Sequence, residues 1–330
     1  MGKFINAIGI DVSKKTLDIR DHVNELTHQV SNTGDGFKQM LKWAKKNNAD
    51  LSAVLICLEH TGMYSLPLAV YLTEQKCAFA MLPGLQIKRS LGIQRGKSDQ
   101  ADAQAIARYA YLHREEVKTY NLPSAQILEI KGLLSLRERL VGQRAGYQAT
   151  KKEAKSFSIG NSKLILEIQM KLIREINAQI AKIEKQIKLI LHSDAELKKI
   201  YDLVTSVKGV GLILGTTMMV YTNCFTAFDD WRKFACYCGI VPFPFQSGTS
   251  IRGKKKIHHL ANKRLKALLS NAACTSIQFN PEMKAYYQRR LQEGKNKMST
   301  QNIIRNKIVA RVFATVQRGT PYVDTFKYAA

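Results

Sequence analysis

Apolar residues alternate with polar or small ones from the start of the chain. "FINAIGIDVS" (4–13) reads as a strand ending at a polar tip, and "TLDIRDHV" and "LTHQVSN" follow as two more short alternating segments separated by turn-like residues. In "DGFKQMLKWAKKN", Phe37, Met40, Leu41 and Trp43 recur at helical spacing. "SAVLICLE" is a short apolar run that suits a buried strand. "YSLPLAVYLTEQ" reads as a helix with Pro67 in its first turn, "CAFAMLP" as another buried strand, and "KSDQADAQAIARYA" (97–110) as the helix that follows. The order is three strands, helix, strand, helix, strand, helix. It predicts a mixed sheet: an antiparallel meander first, then strands joined through helices and parallel to the first.

The pattern changes after residue 150. "TKKEAKSFSIGNSK" (150–163) is polar and basic and reads as a connection, with Asn161 or Ser162 able to cap the helix beyond. Ile173, Ile176, Ile180, Ile183, Ile187 and Ile190 then recur at spacings of 3, 4, 3, 4, 3, extended backward by Leu166. This period of 3.5 predicts a coiled-coil seam, either a parallel bundle of more than two strands or an antiparallel pair. Ser193 and Glu196 fit a capping box that opens a third region. There "SVKGVGLILG" places Gly209 and Gly211 in a tight turn between two helical segments, similar to a helix-hairpin-helix. Such a turn brings backbone N–H groups and a helix N-terminus to phosphate, although a plain helical corner has the same pattern. The expected organisation is an α/β domain over 1–150, a connection and coiled coil over 151–192, and a mainly helical domain over 193–330.

Charge narrows the class of partner. The 330 residues carry 51 basic and 26 acidic side chains, a formal net charge of +25. Residues 1–150 hold 20 basic and 14 acidic groups, whereas 201–330 hold 20 and 6, so the excess is greatest near the C-terminus. Polyanions are the expected partners. No apolar run reaches the roughly 18 residues of a membrane span, and "GVGLILGTTMMVY" is short and broken by glycine and threonine. "MGKFINAIGIDV" lacks the pattern of a secretory signal. The six cysteines form no C-x-x-C pair, and Cys236 and Cys238 are one residue apart, which argues for reduced thiols in a cytosolic protein rather than zinc or disulfide chemistry.

Two groups of residues carry candidate chemistry. Asp11 ends the first strand, Glu59 ends the fourth, and Asp99 and Asp102 stand three apart at a helix start. Individually these acids suit a turn, a surface and a helix cap. If the first and fourth strands are neighbours, all four meet at one sheet edge. There a pair of carboxylates at ~4 Å repels by about 4 kcal/mol at an effective dielectric near 20. A divalent cation relieves this, and oxygen-only donors suit Mg²⁺ or Mn²⁺ rather than zinc. Two such ions can clamp a phosphodiester. The second group is "QSGTSIRGKKKIHHLANKR", where Ser247 precedes Gly248 and Ser250 stands two residues before Arg252. Arg252, Lys254, Lys255, Lys256, Lys263 and Arg264 give six cations without an acid. A serine in this setting can approach phosphate and act as a nucleophile once activated, and Arg252 can stabilise the crowded phosphorus. This reasoning does not choose between Ser247 and Ser250, and a turn entering a solvated basic helix has the same composition.

The whole chain resembles the transposases of the insertion-sequence-110 type, the bridge-RNA-guided recombinases that include pilin-gene invertases. The likeness is carried by "GIDVSKKTLDI", "CLEHTGMY" and "KSDQADAQAIARYA", then by "SVKGVG", "FACYCGIVPFPFQSGTSIRGKKKI" and "NKRLKALLSNAA". One departure is Ala261 before Asn262, where relatives often carry glycine. The resemblance implies a ribonuclease H-like (RuvC-like) mixed-sheet domain with a DEDD set on Asp11, Glu59, Asp99 and Asp102, and a C-terminal transposase domain with Ser247 as the nucleophile. It further implies a covalent phosphoserine intermediate, a structured bridge RNA that pairs with double-stranded donor and target DNA, and dimers assembling to a tetramer. A prokaryotic cytoplasmic, nucleoid-associated location follows. The alternatives are a metal-dependent junction-resolving nuclease that uses water as nucleophile, and a non-enzymatic nucleic-acid scaffold that uses only its basic surface.

Overall fold

The computed structural model describes residues 3–60, 62, 64–90, 98–156, 162–247 and 251–324. Contacts divide the chain into two compact units, Met1–Leu122 and Pro123–Ala330. The break precedes the boundary at 150 read from sequence, because a long helix beginning at Ala125 belongs wholly to the second unit. Ser124 starts that helix, its hydroxyl accepting from the Ile127 amide.

In the first unit, β1 (Asn6–Val12), β2 (Thr16–Asp21) and β3 (Thr27–Ser31) form an antiparallel meander. The chain crosses through α1 (Gly34–Asn47) to β4 (Val54–Glu59), then through α2 (Leu66–Glu74) to β5 (Phe79–Leu82). Both later strands are parallel, β4 to β1 and β5 to β4, and the sheet order is β3-β2-β1-β4-β5. Helices α3 (Gly84–Ser90) and α4 (Asp99–Leu112) complete the unit. The two-residue period of the strands separates two cores. Ile8, Ile10, Val12, Leu17 and Ile19 pack with Phe37, Met40, Leu68 and Leu72 of α1 and α2. Ala7, Leu55, Cys57 and Ala80 face Ile106, Tyr109 and Ala110 of α4. The α4 side is lined with small residues, so the helix lies close to the sheet. A Cβ on Gly9 would stand 2.2 Å from the Ala107 amide nitrogen.

At the far end of β2 the sheet buries a charge. Asp21 is fully buried and accepts from Asn6 Nδ2, Asn48 Nδ2, the Asn24 amide and Asn24 Nδ2 at 2.8–3.0 Å. Burial works against its charge, but these donors outweigh that and hold the carboxyl below its ordinary value.

The second unit begins with an antiparallel pair, α5 (Ala125–Ser156) and α6 (Ser162–Ser193). Arg137 meets Glu184 at 2.7 Å, Arg144 meets Asn177 and Thr150 meets Gln169, which fixes their direction. Helix α5 has no counterpart in the sequence reading, and its last two turns take up half of the segment read there as a connection. The isoleucine seam packs inside the chain: Ile183, Ile187 and Ile190 share a core with Ile127, Ile130 and Leu134 of α5. Helix α7 (Ala195–Thr205) is capped by Asp194, whose carboxylate accepts from the Glu196 and Leu197 amides. Ser193 instead donates to the Ile190 carbonyl, so the expected Ser193–Glu196 box is not the cap used.

Then come α8 (Leu212–Thr222), α9 (Trp231–Tyr237), the hairpin β6 (Phe243–Ser247) and β7 (Ile251–Lys256), α10 (Lys263–Phe279), α11 (Pro281–Gln292) and α12 (Lys297–Arg318). Phe234, Leu265, Leu269, Ile304, Ile308 and Phe313 centre their core. Among the described residues no helix is long and apolar enough to cross a membrane.

Candidate active site

Asp11 is the penultimate residue of β1. Its neighbours Ile10 and Val12 enter the α1–α2 core, so Asp11 falls on the face covered by α4. Glu59 is the last residue of β4. The parallel register pairs Ile10 with Leu58, which places these two acids at adjacent strand ends. Ser98 caps α4 by accepting from the Ala101 amide, leaving Asp99 and Asp102 in the first turn. Close packing of α4 on Gly9 brings that turn down toward the same ends.

The effect on Asp11 is direct. Burial, then the charges of Asp102, Glu59 and Asp99, and last that of Asp18, raise its carboxyl from 3.8 to about 6. All four acids named from sequence therefore act on one locality.

The donor set fits a hard divalent cation: oxygen only, crowded with negative charge, and partly withdrawn from water. Among the described residues, however, no group of three or more His, Cys, Asp or Glu side chains forms a ready-made metal cage. The fit thus rests on the chemistry of the donors and on the electrostatics at Asp11. Gly84 was missed in the sequence. A Cβ there would stand 1.9 Å from Glu59 Oε1, so the first residue of α3 leaves the space that this carboxylate occupies. The signal was a glycine directly after the last buried strand. Asp18 was also passed over, although it sits between two buried apolar residues of β2.

In the second unit Ser247 ends β6, opposite Ile251, with Gln246 opposite Arg252. The backbone of this hairpin is described, whereas the side chains of Ser247, Arg252, Lys254, Lys255 and Lys256 lie outside the described residues, as does Ser250 altogether. Both ends of the hairpin are tied to helices. Asn302 and Asn306 both donate to the Ile240 carbonyl, at 2.6 and 3.1 Å, just before β6. After β7, the Asn262 amide donates to the Tyr237 carbonyl, and its side chain caps α10 by accepting from the Leu265 amide. Ala261 fits beside Gly239, which has a φ of +68° and no side chain to meet it.

The other proposed contacts divide. Lys263 is exposed at the start of α10. Arg264 is held within the unit, with Glu138 Oε2 at 2.8 Å and the Leu134 carbonyl at 2.9 Å, so it serves the α5–α10 contact. Gly209 has a φ of +93° and packs so tightly on α10 that a Cβ would stand 2.2 Å from Ser276 Oγ. Its glycine is required by packing and backbone conformation. Gly211 differs: it is exposed, begins α8 without a capping side chain and has open space around it, which leaves the helix N-terminus accessible.

A family profile described as "Transposase" matches residues 8–156, and one described as "Transposase IS116/IS110/IS902 family" matches residues 201–288. The pilin gene-inverting proteins of Moraxella bovis and Moraxella lacunata are each 26% identical to this chain over 325 residues, covering 96% of it and 97% of their own length. An uncharacterized 43.6 kDa protein of insertion element IS110 from Streptomyces coelicolor is 28% identical over 149 residues, 44% of this chain and 35% of that one.

Proposed function

The chain belongs to the IS110-type transposases, a DNA-recombining family, and from that premise we propose that it cuts and rejoins DNA through a phosphoserine ester on Ser247, assisted by a divalent cation on Asp11, Glu59, Asp99 and Asp102. The observation that carries the metal arm is the raised carboxyl of Asp11 among Glu59, Asp99 and Asp102 at one end of one sheet face. The strand order β3-β2-β1-β4-β5, with only the first three strands antiparallel, supports a RuvC-like reading of the first unit. For Ser247 the support is its motif "QSGTSIRG" and the anchoring of its hairpin by Asn302, Asn306 and Asn262.

In this reaction the Ser247 Oγ forms a bond to phosphorus as the bond from phosphorus to a sugar oxygen breaks. The serine gives up its proton to a base and the leaving sugar hydroxyl takes one up. Attack by a second sugar hydroxyl reverses both changes and frees the serine, so one ester replaces another and no ATP is needed. A bound Mg²⁺ or Mn²⁺ would supply Lewis acidity for the phosphoryl transfer. Asp11, Glu59, Asp99 and Asp102 hold the cation. Arg252 and the lysines of β7 neutralise DNA phosphates, and the exposed helix start at Gly211 offers further amide donors.

We place sequence choice in a structured bridge RNA that pairs with donor and target DNA, so the protein reads backbone rather than base edges. The match to pilin gene-inverting proteins over nearly the full chain supports strand exchange over plain hydrolysis. Assembly to dimers and tetramers is supported by Leu164, Ile165 and Ile168, which stay about half exposed near the start of α6 while the rest of the helix spends its seam on α5.

The test is a denaturing gel of protein incubated with DNA, the bridge RNA and Mg²⁺. Wild type forms a protein–DNA adduct, Ser247→Ala forms none, and Asp102→Ala forms none or little. Free-ended cleavage products without an adduct would establish the water-dependent nuclease instead. Full recombination by Ser247→Ala would overturn the serine assignment.

A further inference from the structure

Asp18 has no role in the reaction as set out above. Its strand reads Thr16-Leu17-Asp18-Ile19-Arg20-Asp21, and the alternation sends Leu17 and Ile19 into the α1–α2 core. Asp18 therefore lies on the opposite face, under α4, and is only 3% exposed there. The ladder pairs it with Asp11 on one side and with Gln29 on the other. Residues directly opposite in an antiparallel pair have Cβ atoms about 4.5–5.5 Å apart. Gln29 Nε2 donates to Asp18 Oδ1 at 2.8 Å, while Oδ2 is buried and takes no hydrogen bond.

This is a costly way to fill a strand position. A buried carboxylate oxygen without a donor loses its hydration and gains nothing in return, and a like charge sits across the ladder. A valine or leucine would fill the space without that cost. The same strand shows the contrast three residues on, where Asp21 is equally buried and has both oxygens satisfied by Asn6, Asn24 and Asn48. The unpartnered oxygen beside Asp11 marks a place for a positive group.

We propose that Asp18 is a fifth carboxylate of the metal site, with Oδ1 fixed by Gln29 and Oδ2 facing a divalent cation held jointly with Asp11. This rests on the metal reading of Asp11, Glu59, Asp99 and Asp102, and extends it to a residue on the second strand. Gln29 is a positioning residue, orienting the carboxylate without contact with the ion.

The experiment measures Mn²⁺ binding to the full chain by electron paramagnetic resonance, with melting temperatures in chelator and in Mg²⁺, for wild type, Asp18→Asn, Asp102→Asn and Gln29→Leu. Wild type is expected to bind Mn²⁺. Asp18→Asn binds at least about tenfold more weakly, and in chelator it melts at or above wild type, because an unpaired buried charge has been removed. Gln29→Leu keeps the charge but removes the orienting donor, so its Mn²⁺ affinity falls between those of wild type and Asp18→Asn. Asp18→Asn binding as wild type while Asp102→Asn is weakened would overturn this inference and leave the metal reading standing. Failure of Asp18→Asn to fold, or a clear loss of melting temperature in chelator, would make Asp18 structural. Absence of Mn²⁺ binding by wild type would end both.

Discussion

Replacing Asp11 with asparagine should make the metal-free protein more stable while abolishing recombination. Burial and the charges of Asp102, Glu59, Asp99 and Asp18 raise the Asp11 carboxyl from 3.8 to about 6. A carboxyl raised on folding binds its proton more tightly in the native state, so stability falls as pH rises between those two values and stays reduced above them. At face value the difference corresponds to about 3 kcal/mol. The group is only half-buried and solvent screens its neighbours, so we halve this to about 1.5 kcal/mol. For a unit of this size that amounts to roughly 3–8 °C in melting temperature.

The assay is a thermal melt of wild type and Asp11→Asn in chelator at pH 4 and pH 7.5, repeated at pH 7.5 with excess Mg²⁺. Asp11→Asn should melt higher at pH 7.5 and closer to wild type at pH 4, where the native Asp11 carboxyl is already protonated. Mg²⁺ should narrow or reverse the gap, since the cation stabilises only the chain that keeps the full carboxylate set. If Asp11→Asn melts at or below wild type in chelator at pH 7.5, the like-charge explanation is wrong.

Asp21→Ala strands Asn6, Asn24 and Asn48, and chemical denaturation should show a loss of about 3 kcal/mol at pH 7. Because that carboxyl is lowered on folding, its contribution should be complete above the ordinary aspartate value and disappear as the pH falls through the native one. Gly84→Ala sets a methyl against Glu59 Oε1, so recombination assays should show a 10- to 100-fold loss for a small change in melting temperature. Arg264→Ala removes the contacts to Glu138 and the Leu134 carbonyl. It should cost about 1–2 kcal/mol in denaturant and leave the salt dependence of DNA binding unchanged, unlike Lys263→Ala, which should reduce its slope.

Much of the first unit was legible in the sequence. Ile8, Ile10 and Val12 alternate with Ala7, Gly9 and Asp11, and that period alone separates two faces of a strand and puts Asp11 on the one without the large aliphatics. Apolar runs ending in Glu59 and Leu82 marked the parallel strands, and Ser98 marked the start of α4. The capping of α7 was misread because Ser193 and Asp194 both suit a cap, and the choice depends on which residue leaves the helical conformation first. Helix α5 was missed because its apolar positions serve more than one contact, so no single period stands out. Its partner α6 faces mainly one neighbour and shows a clean seam.

What the sequence alone determined is therefore local: the strands, the helix starts, the four acids at element ends and the serine in its basic setting. These follow from side-chain period, backbone preference and residue chemistry within a few positions of one another. Tertiary structure decided what each face meets. It gave the isoleucine seam to α5 of the same chain, committed Arg264 to Glu138, set Gly84 against Glu59 and placed Asp18 opposite Asp11. The physical reason is that a side chain's period says which way it points along its own element, while its partner belongs to another element, brought there only when the cores close.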